Sequence, residues 1–262
     1  MFKEHTFSIC AYGKSKYLEM CVKSILNQTM KSKVIICTST PNAYIKNIAE
    51  KYNIELYVNS GIPNIKDDWN FAYNTADTKY VTLAHQDDYY NSRYTYELYK
   101  KLKRYNKKML IYYCGYRPIK DSKITTDINC IIRAVLRIPM KIKFFSDNRF
   151  VKRLTLSLGN SICCPTVTYD KESLRESVFT SDLKFNIDWD TFYKLANSKG
   201  GFLYNSKILA YYRIHDGATS KAFIDNSERI REDIEMFDKF WPHFFTMFLM
   251  RFYKKAYETY TK

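Results

Sequence analysis

Apolar positions in the first third of the chain fall into short runs of the kind that form buried strands. The runs are rich in β-branched and aromatic residues and are followed by polar positions. We predict strands at "TFSICAY", "KVIICTST", "IELYVNS" and "KYVTLAH". The last run is almost entirely apolar, which is typical of a strand buried on both faces of a parallel sheet.

The segments between these strands repeat apolar residues at helical spacing. "SKYLEMCVKSILNQT" is the first such segment, and Ser15 stands where it would cap the helix. "PNAYIKNIAEKYN" follows the same pattern, and "DDWNFAYNTAD" begins with two acids that suit a helix N-terminus. This alternation predicts an α/β fold with a Rossmann-like, doubly wound, mostly parallel sheet flanked by helices.

The regular alternation fades in the second half of the chain. The stretch "IIRAVLRIPMKIKFF" is basic and irregular, and the fold of about residues 116–158 does not follow from its pattern. We predict one domain over residues 1–222, with halves 1–115 and 116–222. A basic, aromatic, helical C-terminal extension is expected over residues 223–262.

Composition adds a large core and a strong positive charge to this picture. With 262 residues, 46% hydrophobic and 17% aromatic, the chain can bury a substantial core. Its 42 Lys and Arg exceed its 27 Asp and Glu, and the net charge of +15 favours nucleic acid, anionic lipid or nucleotide-sugar phosphates. The cations are spread along the chain without a recognisable nucleic-acid-binding motif, so we expect no nucleic-acid partner.

Cysteine usage and the N-terminus indicate a cytoplasmic protein. The chain has seven cysteines and no Cys-x-x-Cys pair. Cys163 and Cys164 are adjacent, but no nearby histidine or basic pair would lower a thiol pKa, so nucleophilic or redox chemistry is disfavoured. The N-terminus lacks a secretory apolar segment, and no uncharged run approaches the roughly 20 residues of a membrane span.

Asp87 and Asp88 follow the last predicted strand and allow two interpretations. Asp88 could cap the helix that begins near "SRYTYELYKKL", with Asp87 solvated beside it. Alternatively, the pair could hold a divalent cation on a diphosphate, which needs only one or two protein carboxylates. Ligands of parallel sheets collect at the carboxyl ends of strands, where this pair stands.

Four segments together resemble the GT-A glycosyltransferases of family 2. The opening strand and helix, the stretch leading to the acid pair, an acidic helix start and a closing motif occur in that family's order. They are "FSICAYGKSKYLEMCVKSILNQT", "VNSGIPNIKDDWNFAYNTADTKYVTLAHQDD", "NIDWDTFYKL" and "YYRIHDGATS". The resemblance covers roughly residues 6–220 and implies transfer of a sugar from a nucleotide donor.

The resemblance also implies roles for individual residues. Asp88 and His215 would bind Mn²⁺ or Mg²⁺, Asp87 would contact the ribose or sugar of the donor, and Asp188 would be the catalytic base. Further donor contacts are expected at Ala11, Tyr12, Thr38 and Asn70. An acceptor or donor pocket is expected at Gly159, Asn160, Trp189, Asp190 and Arg213. Residues 1–115 would then bind the nucleotide-sugar, and residues 116–222 would hold the acceptor and the base.

The expected reaction is a single displacement that inverts the anomeric centre. A carboxylate can take the proton of the attacking hydroxyl while a cation offsets charge on the leaving diphosphate. Asp190 stands roughly 200° around a helix from Asp188, so both acids cannot share one face. The resemblance implies a UDP-sugar donor, a saccharide or lipid-linked saccharide acceptor, and a part in bacterial surface polysaccharide synthesis.

Four positions depart from the family pattern. The second strand ends in Cys37 to Thr40, where the family usually has an acid that reads the nucleobase. Trp69 replaces a basic residue near the donor phosphates, Cys10 replaces the usual proline, and Ile187 replaces the acid before the base. A non-catalytic protein that binds nucleotide-sugar or nucleic acid therefore stays an alternative to the enzyme.

Two basic segments mix cations with bulky apolar residues. "RAVLRIPMKIK" and "FLMRFYKKAYETYTK" have the composition of segments that lie on an anionic membrane surface. Peripheral attachment to the inner face of the plasma membrane is one expectation. The alternative is that these apolar residues cover the sheet or form a subunit contact while the cations face water.

Overall fold

The strands of the protein lie side by side in a single mixed sheet. The computed structural model describes residues 1–126, 128–174, 177–215 and 227–261, with the main chain alone for 254–261. Within these residues the sheet has nine strands in the order β3-β2-β1-β4-β8-β6-β9-β5, with β7 beside β6. The strands are β1 His5–Ala11, β2 Lys33–Thr38, β3 Glu55–Val58, β4 Tyr80–His85, β5 Tyr89–Tyr90, β6 Met109–Lys120, β7 Lys123–Ile124, β8 Thr168–Asp170 and β9 Gly201–Ile214.

The N-terminal half of the sheet is parallel, as predicted. β1 pairs with both β2 and β4, so that Cys10 lies opposite Cys37 on one side and His85 on the other. Parallel neighbours end at the same edge of a sheet, which brings the ends of β1, β2 and β4 together. β8 then runs antiparallel between β4 and β6, and β6 and β9 form a second parallel pair.

Helices cover both faces of this sheet. Alternate residues of β2 enter different apolar clusters: Ile35 and Cys37 join one cluster, and Ile36 joins the other. The sheet is therefore buried on both faces, which confirms the predicted doubly wound α/β architecture. The helices are α1 Leu18–Leu26, α2 Ala43–Lys51, α3 Ile65–Thr75, α4 Tyr94–Lys103, α5 Ile128–Leu136, α6 Arg149–Leu156, α7 Lys171–Leu174, α8 Ile187–Ala196, α9 Ser227–Asp238 and α10 His243–Thr261.

Two helix starts differ from the sequence patterns. Tyr17, and not Ser15, is the N-cap residue of α1, and no side chain bonds the end of that helix. The N-cap residue of α4 is Arg93, which lies five positions beyond Asp88. The interpretation of Asp88 as a helix cap is therefore wrong, and its carboxylate is available for another role.

The irregular middle segment is a chain of short helices. Between α5 and α6 the chain forms two 3-10 turns, Ile138–Lys141 and Lys143–Asp147. The C-terminal helices α9 and α10 pack onto one face of the sheet, because Met236, Phe237 and Met250 belong to the same apolar cluster as Ile35. None of the helices in the described ranges is both long enough and apolar enough to span a membrane.

Candidate active site

The ends of β1, β2 and β4 form the floor of the candidate site. Ala11 and Thr38 are buried at the last positions of β1 and β2. Tyr12 is exposed, and its main chain is held by Gln86, which accepts from its N–H at 3.0 Å and donates to its carbonyl at 2.8 Å. This pair fixes the end of β1 beside the turn that carries the two aspartates.

Asp88 is buried at this turn, and only one of its two carboxylate oxygens accepts a hydrogen bond from a described residue. Its Oδ1 accepts a 2.9 Å hydrogen bond from the main-chain N–H of Arg213. Its Oδ2 is buried and has no hydrogen-bond partner among the described residues. Burial raises the pKa of Asp88 well above its ordinary value, with the charge of Asp87 adding to the effect. A buried, unpartnered carboxylate oxygen needs a proton or a cation.

Asp87 is the more accessible member of the pair and already has two partners. Ser15 donates a 2.5 Å hydrogen bond to its Oδ1. His215 Nε2 lies 3.2 Å from its Oδ2, an ion-pair distance without hydrogen-bond alignment. The imidazole ring also contacts Tyr17, with 5.0 Å between ring centroids. His215 is thus next to the acid pair, as the sequence predicts, and the carboxylate that it contacts is Asp87.

Arg213 makes hydrogen bonds to both aspartates of the turn. Its Nε donates to the carbonyl of Asp87 at 3.0 Å, and its guanidinium carbon lies 4.3 Å from the centroid of the Tyr17 ring. The side chain is buried, and its guanidinium group is used by these contacts inside the protein. The prediction that Arg213 lines a pocket is corrected: it orients Asp87 and Asp88 and places a positive charge behind them.

The side chains at the turn suit a cation that brings most of its ligands with it. No group of three or more His, Cys, Asp or Glu side chains in the described ranges converges into a complete metal site. The turn offers two carboxylates, one of them with an unpartnered oxygen, and an adjacent imidazole. One or two carboxylates are enough for a hard divalent ion whose other ligands are diphosphate oxygens and water.

Asp188 begins α8 and is held by two hydrogen bonds. Asn160 Nδ2 donates to its Oδ2 at 2.7 Å, and the main-chain N–H of Trp189 donates to its Oδ1 at 2.8 Å. Burial raises the pKa of Asp188 to about 6, although these bonds and the charge of Arg133 oppose the rise. A carboxyl with such a pKa can accept a proton close to neutral pH.

The two candidate centres lie in one neighbourhood. Burial raises the pKa of the Cys163 thiol well above its ordinary value, and the negative charges of Asp88 and Asp188 both contribute to the rise. The segment that contains Cys163 also connects the two carboxylates: Asn160 bonds Asp188, and the hydroxyl of Tyr90, two residues after Asp88, donates a 2.6 Å hydrogen bond to the carbonyl of Pro165. The raised pKa also agrees with the prediction that Cys163 is not a nucleophile.

The C-terminal helix α9 supports the start of α8, which no sequence motif had indicated. Both carboxylate oxygens of buried Glu232 accept main-chain hydrogen bonds from Lys184, Phe185 and Asn186, at 2.7, 2.9 and 3.0 Å. Asp233 accepts a further 2.8 Å bond from the side chain of Asn186. These contacts fix the segment immediately before Asp188.

Two residues beside Asp188 do not reach the predicted pocket. Trp189 is fully buried and donates a 3.1 Å hydrogen bond to the carbonyl of Leu156. Asp190 is buried on another side of α8 and pairs with Lys194 at 2.7 Å and Lys239 at 2.8 Å. The prediction that they line a pocket is corrected, because the helical twist turns both away from Asp188.

Asn70 and Gly159 also have structural roles in place of the predicted contacts. The Asn70 amide bonds the main chain of Phe179, accepting from its N–H at 3.1 Å and donating to its carbonyl at 2.9 Å. Gly159 has a φ of +120°, and a Cβ there would lie 3.1 Å from the Tyr253 ring. Asn70 thus ties α3 to the segment before α8, and the close approach of Tyr253 leaves little room for a side chain at position 159.

Trp69 and Asp68 provide groups that motif matching did not assign. Trp69, which stands where the family often has a basic residue, stacks on His85 with 5.2 Å between ring centroids. Asp68 reaches the end of β2 from α3, accepting hydrogen bonds from Ser39 at 2.7 Å and Asn59 at 3.0 Å. An acid from α3 thus stands at the end of β2, where the sequence after that strand has none.

The profile of glycosyl transferase family 2 matches residues 6–176, which is more than half of the chain. The protein belongs to this family and is a glycosyltransferase. An uncharacterized glycosyltransferase of Rickettsia typhi is 22% identical over 257 residues, covering 86% of this chain and 70% of the relative. The Asp216 to Ser220 end of the closing motif lies outside the described residues.

Solved structures confirm the predicted GT-A fold. S. aureus TarS 1–349 has a TM-score of 0.58 and 16% identity, covering 93% of this chain and 72% of the TarS chain. A structure of the same TarS fragment contains UDP-GlcNAc, with 13% identity, a TM-score of 0.55 and coverage of 93% and 73%. A mannosyltransferase from Pyrobaculum calidifontis in complex with GDP-Man and Mn²⁺ has a TM-score of 0.60 and 13% identity, covering 90% of this chain and 63% of its own.

Proposed function

We propose that the protein transfers a sugar from a nucleoside-diphosphate sugar to an acceptor hydroxyl, with inversion at the anomeric carbon. The observation that carries this proposal is the Asp87–Asp88 turn at the carboxyl end of β4, where a buried carboxylate oxygen lacks a partner. A diphosphate with its cation would satisfy that oxygen. Asp188 would supply the second carboxylate that the reaction needs, since Asn160 bonds it and Pro165 of the same segment bonds Tyr90 beside the acid turn.

The donor is proposed to lie across the ends of β1, β2 and β4. UDP-GlcNAc in a TarS structure and GDP-Man in the mannosyltransferase are nucleotide-sugars, and we propose a UDP-sugar here. Tyr12 would contact the nucleobase beside Ala11 and Thr38, and Asp68 would read the edge of the base. Asp87 would bond the ribose or the sugar.

Mn²⁺ or Mg²⁺ is the proposed cofactor, held by Asp88 with His215 beside it. When bound, such an ion offsets the negative charge that develops on the leaving diphosphate. Arg213 and Ser15 would keep the acid turn in place during the reaction, because each makes a direct hydrogen bond to Asp87. His215 would then either ligate the ion or orient Asp87.

Asp188 is proposed as the base. Its carboxylate would accept the proton of the attacking hydroxyl as the glycosidic bond forms on the face opposite the leaving group. Asn160 would hold the carboxylate in position, and Glu232 would hold the start of α8. A single displacement with one base inverts the anomeric configuration, whereas a retaining displacement would need a nucleophile.

The acceptor and the cellular setting are proposed in outline. A saccharide or a lipid-linked saccharide would enter from the side of Asn160 and Asp188. The reaction would serve bacterial surface polysaccharide synthesis, with the enzyme in the cytoplasm at the inner face of the plasma membrane. The strong positive charge suits an acceptor that is carried on an anionic lipid.

The proposal is tested by incubating the protein with a panel of UDP- and GDP-sugars and Mn²⁺, and following donor consumption by mass spectrometry. We expect one donor to be consumed in a metal-dependent manner, and thermal stability to rise when nucleotide and metal are added together. A non-catalytic nucleotide-sugar binder would be stabilised without consuming donor. Stabilisation by nucleic acid, independent of metal and steeply dependent on salt, would indicate a nucleic-acid-binding protein instead.

A further inference from the structure

Helix α5 presents an apolar stripe to solvent. Ile128, Ile131, Ile132 and Val135 recur at the spacing of one helix face, and all four are exposed, Ile128 at 63% and Val135 at 55%. Such a stripe usually faces the core of a globular protein. Cys130 is the buried residue that α5 contributes instead. The apolar face of this helix is therefore not covered by the described part of the fold.

Two further helices, α6 and α10, also expose apolar residues along one face. On α6 and just beyond it, Phe150, Leu154 and Leu158 are exposed at four-residue spacing, with Phe150 at 74%. The exposed apolar residues of α10 also follow one face, beginning with Phe244 at 77%. They are Phe244, Met247, Phe248 and Phe252. Scattered exposed apolar residues are ordinary, but exposed stripes on three helices of one domain are not.

The three helices are neighbours in the fold. α5 and α6 contact one another and share contacts with the 3-10 turn between them. Trp241, just before α10, donates a 2.7 Å hydrogen bond to the carbonyl of Ser157, just after α6. Tyr253 of α10 packs against Gly159. On the turns between α5 and α6, Ile142 and Phe144 are also exposed and add apolar area next to these helices.

Positive charge borders this surface. Of the seven Lys and Arg in residues 128–158, Lys141, Lys143 and Arg149 are exposed and Arg137 and Lys152 are buried, and the one acid is Asp147. Lys141 and Lys143, which flank exposed Ile142, line a cavity of about 400 Å³ together with three cations of the α4 region. Those cations are Lys100, Lys101 and Arg104.

The lining of this cavity carries little negative charge of its own. Its one acid is Glu97, which is already paired with Lys207 at 2.7 Å. Burial lowers the pKa of Lys101, the charge of Glu97 opposes this effect, and the charges of Arg104 and Lys207 add to it. An anion in the cavity would relieve this repulsion between cations.

We propose that the outward stripes of α5, α6 and α10 form a docking face for an anionic bilayer, and that the lysine-lined cavity receives lipid phosphate headgroups. Apolar side chains entering the interface, with cations beside them, are what an anionic lipid surface binds. A protein partner would also cover apolar area, but the excess of Lys and Arg over acids favours the lipid. Most of the exposed apolar positions, including all those of α6, lie outside the two basic segments that the sequence had indicated.

The docking face is adjacent to the proposed acceptor side of the site. Leu158 belongs to the exposed stripe, and Asn160, two residues later, bonds Asp188. The bilayer would thus lie next to the catalytic carboxylate. This deepens and rests on the proposed function, because it commits the acceptor to a saccharide carried by a membrane lipid.

The docking face is tested by vesicle co-sedimentation without donor or metal, so that its outcome is independent of catalysis. Vesicles of phosphatidylglycerol and phosphatidylcholine in equal parts are compared with vesicles of phosphatidylcholine alone. We expect the protein to sediment with the anionic vesicles and to be released by high salt. The triple variant Ile131→Ser, Phe150→Ser and Phe244→Ser should lower the partition coefficient by about tenfold or more.

Two controls separate lipid docking by this face from nonspecific adsorption and from self-association. Ile62→Ser changes an exposed apolar residue outside the three helices and should leave binding unchanged. The double variant Lys141→Glu and Arg149→Glu should weaken binding to anionic vesicles, whereas Lys46→Glu on α2 should not. Equal sedimentation of the triple variant and the unaltered protein would overturn the proposal. Dimerisation in solution that the triple variant abolishes, with no vesicle binding, would assign the face to a second copy of this chain.

Discussion

The side chain of Asn160 donates a 2.7 Å hydrogen bond to Asp188, and this contact joins the segment after α6 to the start of α8. The bond stabilises the ionised form of a carboxyl whose pKa burial raises to about 6. If Asp188 is the base, the reaction requires that ionised form. The contact therefore sets the lowest pH at which the enzyme works well.

The first prediction concerns the acidic side of the pH profile. For the unaltered protein we expect kcat/KM to rise with pH, to level off above about 6 and to fall below it, since only ionised Asp188 accepts a proton. Asn160→Ala removes a bond to the ionised form, so the midpoint should move up by about one pH unit. Asn74→Ala, an exposed change on α3, should leave the midpoint in place. An unshifted midpoint in Asn160→Ala would argue against Asp188 as the titrating group.

The second prediction compares the two acids at the start of α8. Asp188→Asn should lower kcat by about 10²–10⁴-fold, the usual contribution of a general base, with donor affinity near that of the unaltered protein. Asp190→Asn instead breaks ion pairs with Lys194 and Lys239, so it should lower thermal stability while turnover persists. Steady-state kinetics and thermal melts distinguish the two effects. Equal turnover in Asp188→Asn would remove this residue from the role of base.

The third prediction concerns the nucleobase. Asp68→Asn should weaken binding of the nucleotide by about tenfold, because the neutral amide is a poorer acceptor for base N–H groups than the carboxylate. Asp67→Asn, at the exposed neighbouring position, is the matched control and should bind as the unaltered protein does. Titration calorimetry with UDP and with GDP measures both. Identical affinities in the two variants would show that Asp68 does not contact the base.

The fourth prediction concerns the support of α8 by α9. Glu232→Ala leaves three main-chain N–H groups of residues 184–186 without their acceptor, and should lower the free energy of unfolding by about 3 kcal/mol. Glu235→Ala, at an exposed position of the same helix, should cost under about 1 kcal/mol. Denaturant unfolding measures the difference. A loss of kcat that exceeds the loss of folded protein would show that α9 also positions Asp188.

The sequence predicted the elements whose patterns are local. The four N-terminal strands are short apolar runs and the three helices have helical spacing, and the doubly wound sheet follows from their alternation. The acid pair at the end of β4 also follows, because residues at strand ends need no distant information. The middle segment could not be predicted, since its apolar residues face solvent and its helical pattern does not mark a core.

Contacts between distant residues account for the predictions that were wrong. Ser15 is of a residue type that often caps helices, but its hydroxyl donates a hydrogen bond to Asp87, 72 residues away. Asn70 matches a donor-binding position, but its amide bonds Phe179, 109 residues away. Asp68 could not be assigned from the sequence, because its approach to the end of β2 depends on how α3 packs.

The measurement that tests the central claim most directly is Mn²⁺-dependent binding of UDP-sugars and GDP-sugars to Asp88→Asn, by titration calorimetry. Burial disfavours the ionised form of Asp88, so the amide should not unfold the protein. We predict that the unaltered protein and the exposed control Asp182→Asn bind a donor more tightly with Mn²⁺ than without it. Asp88→Asn should lose that dependence. Full Mn²⁺-dependent donor binding by Asp88→Asn would contradict the proposed site.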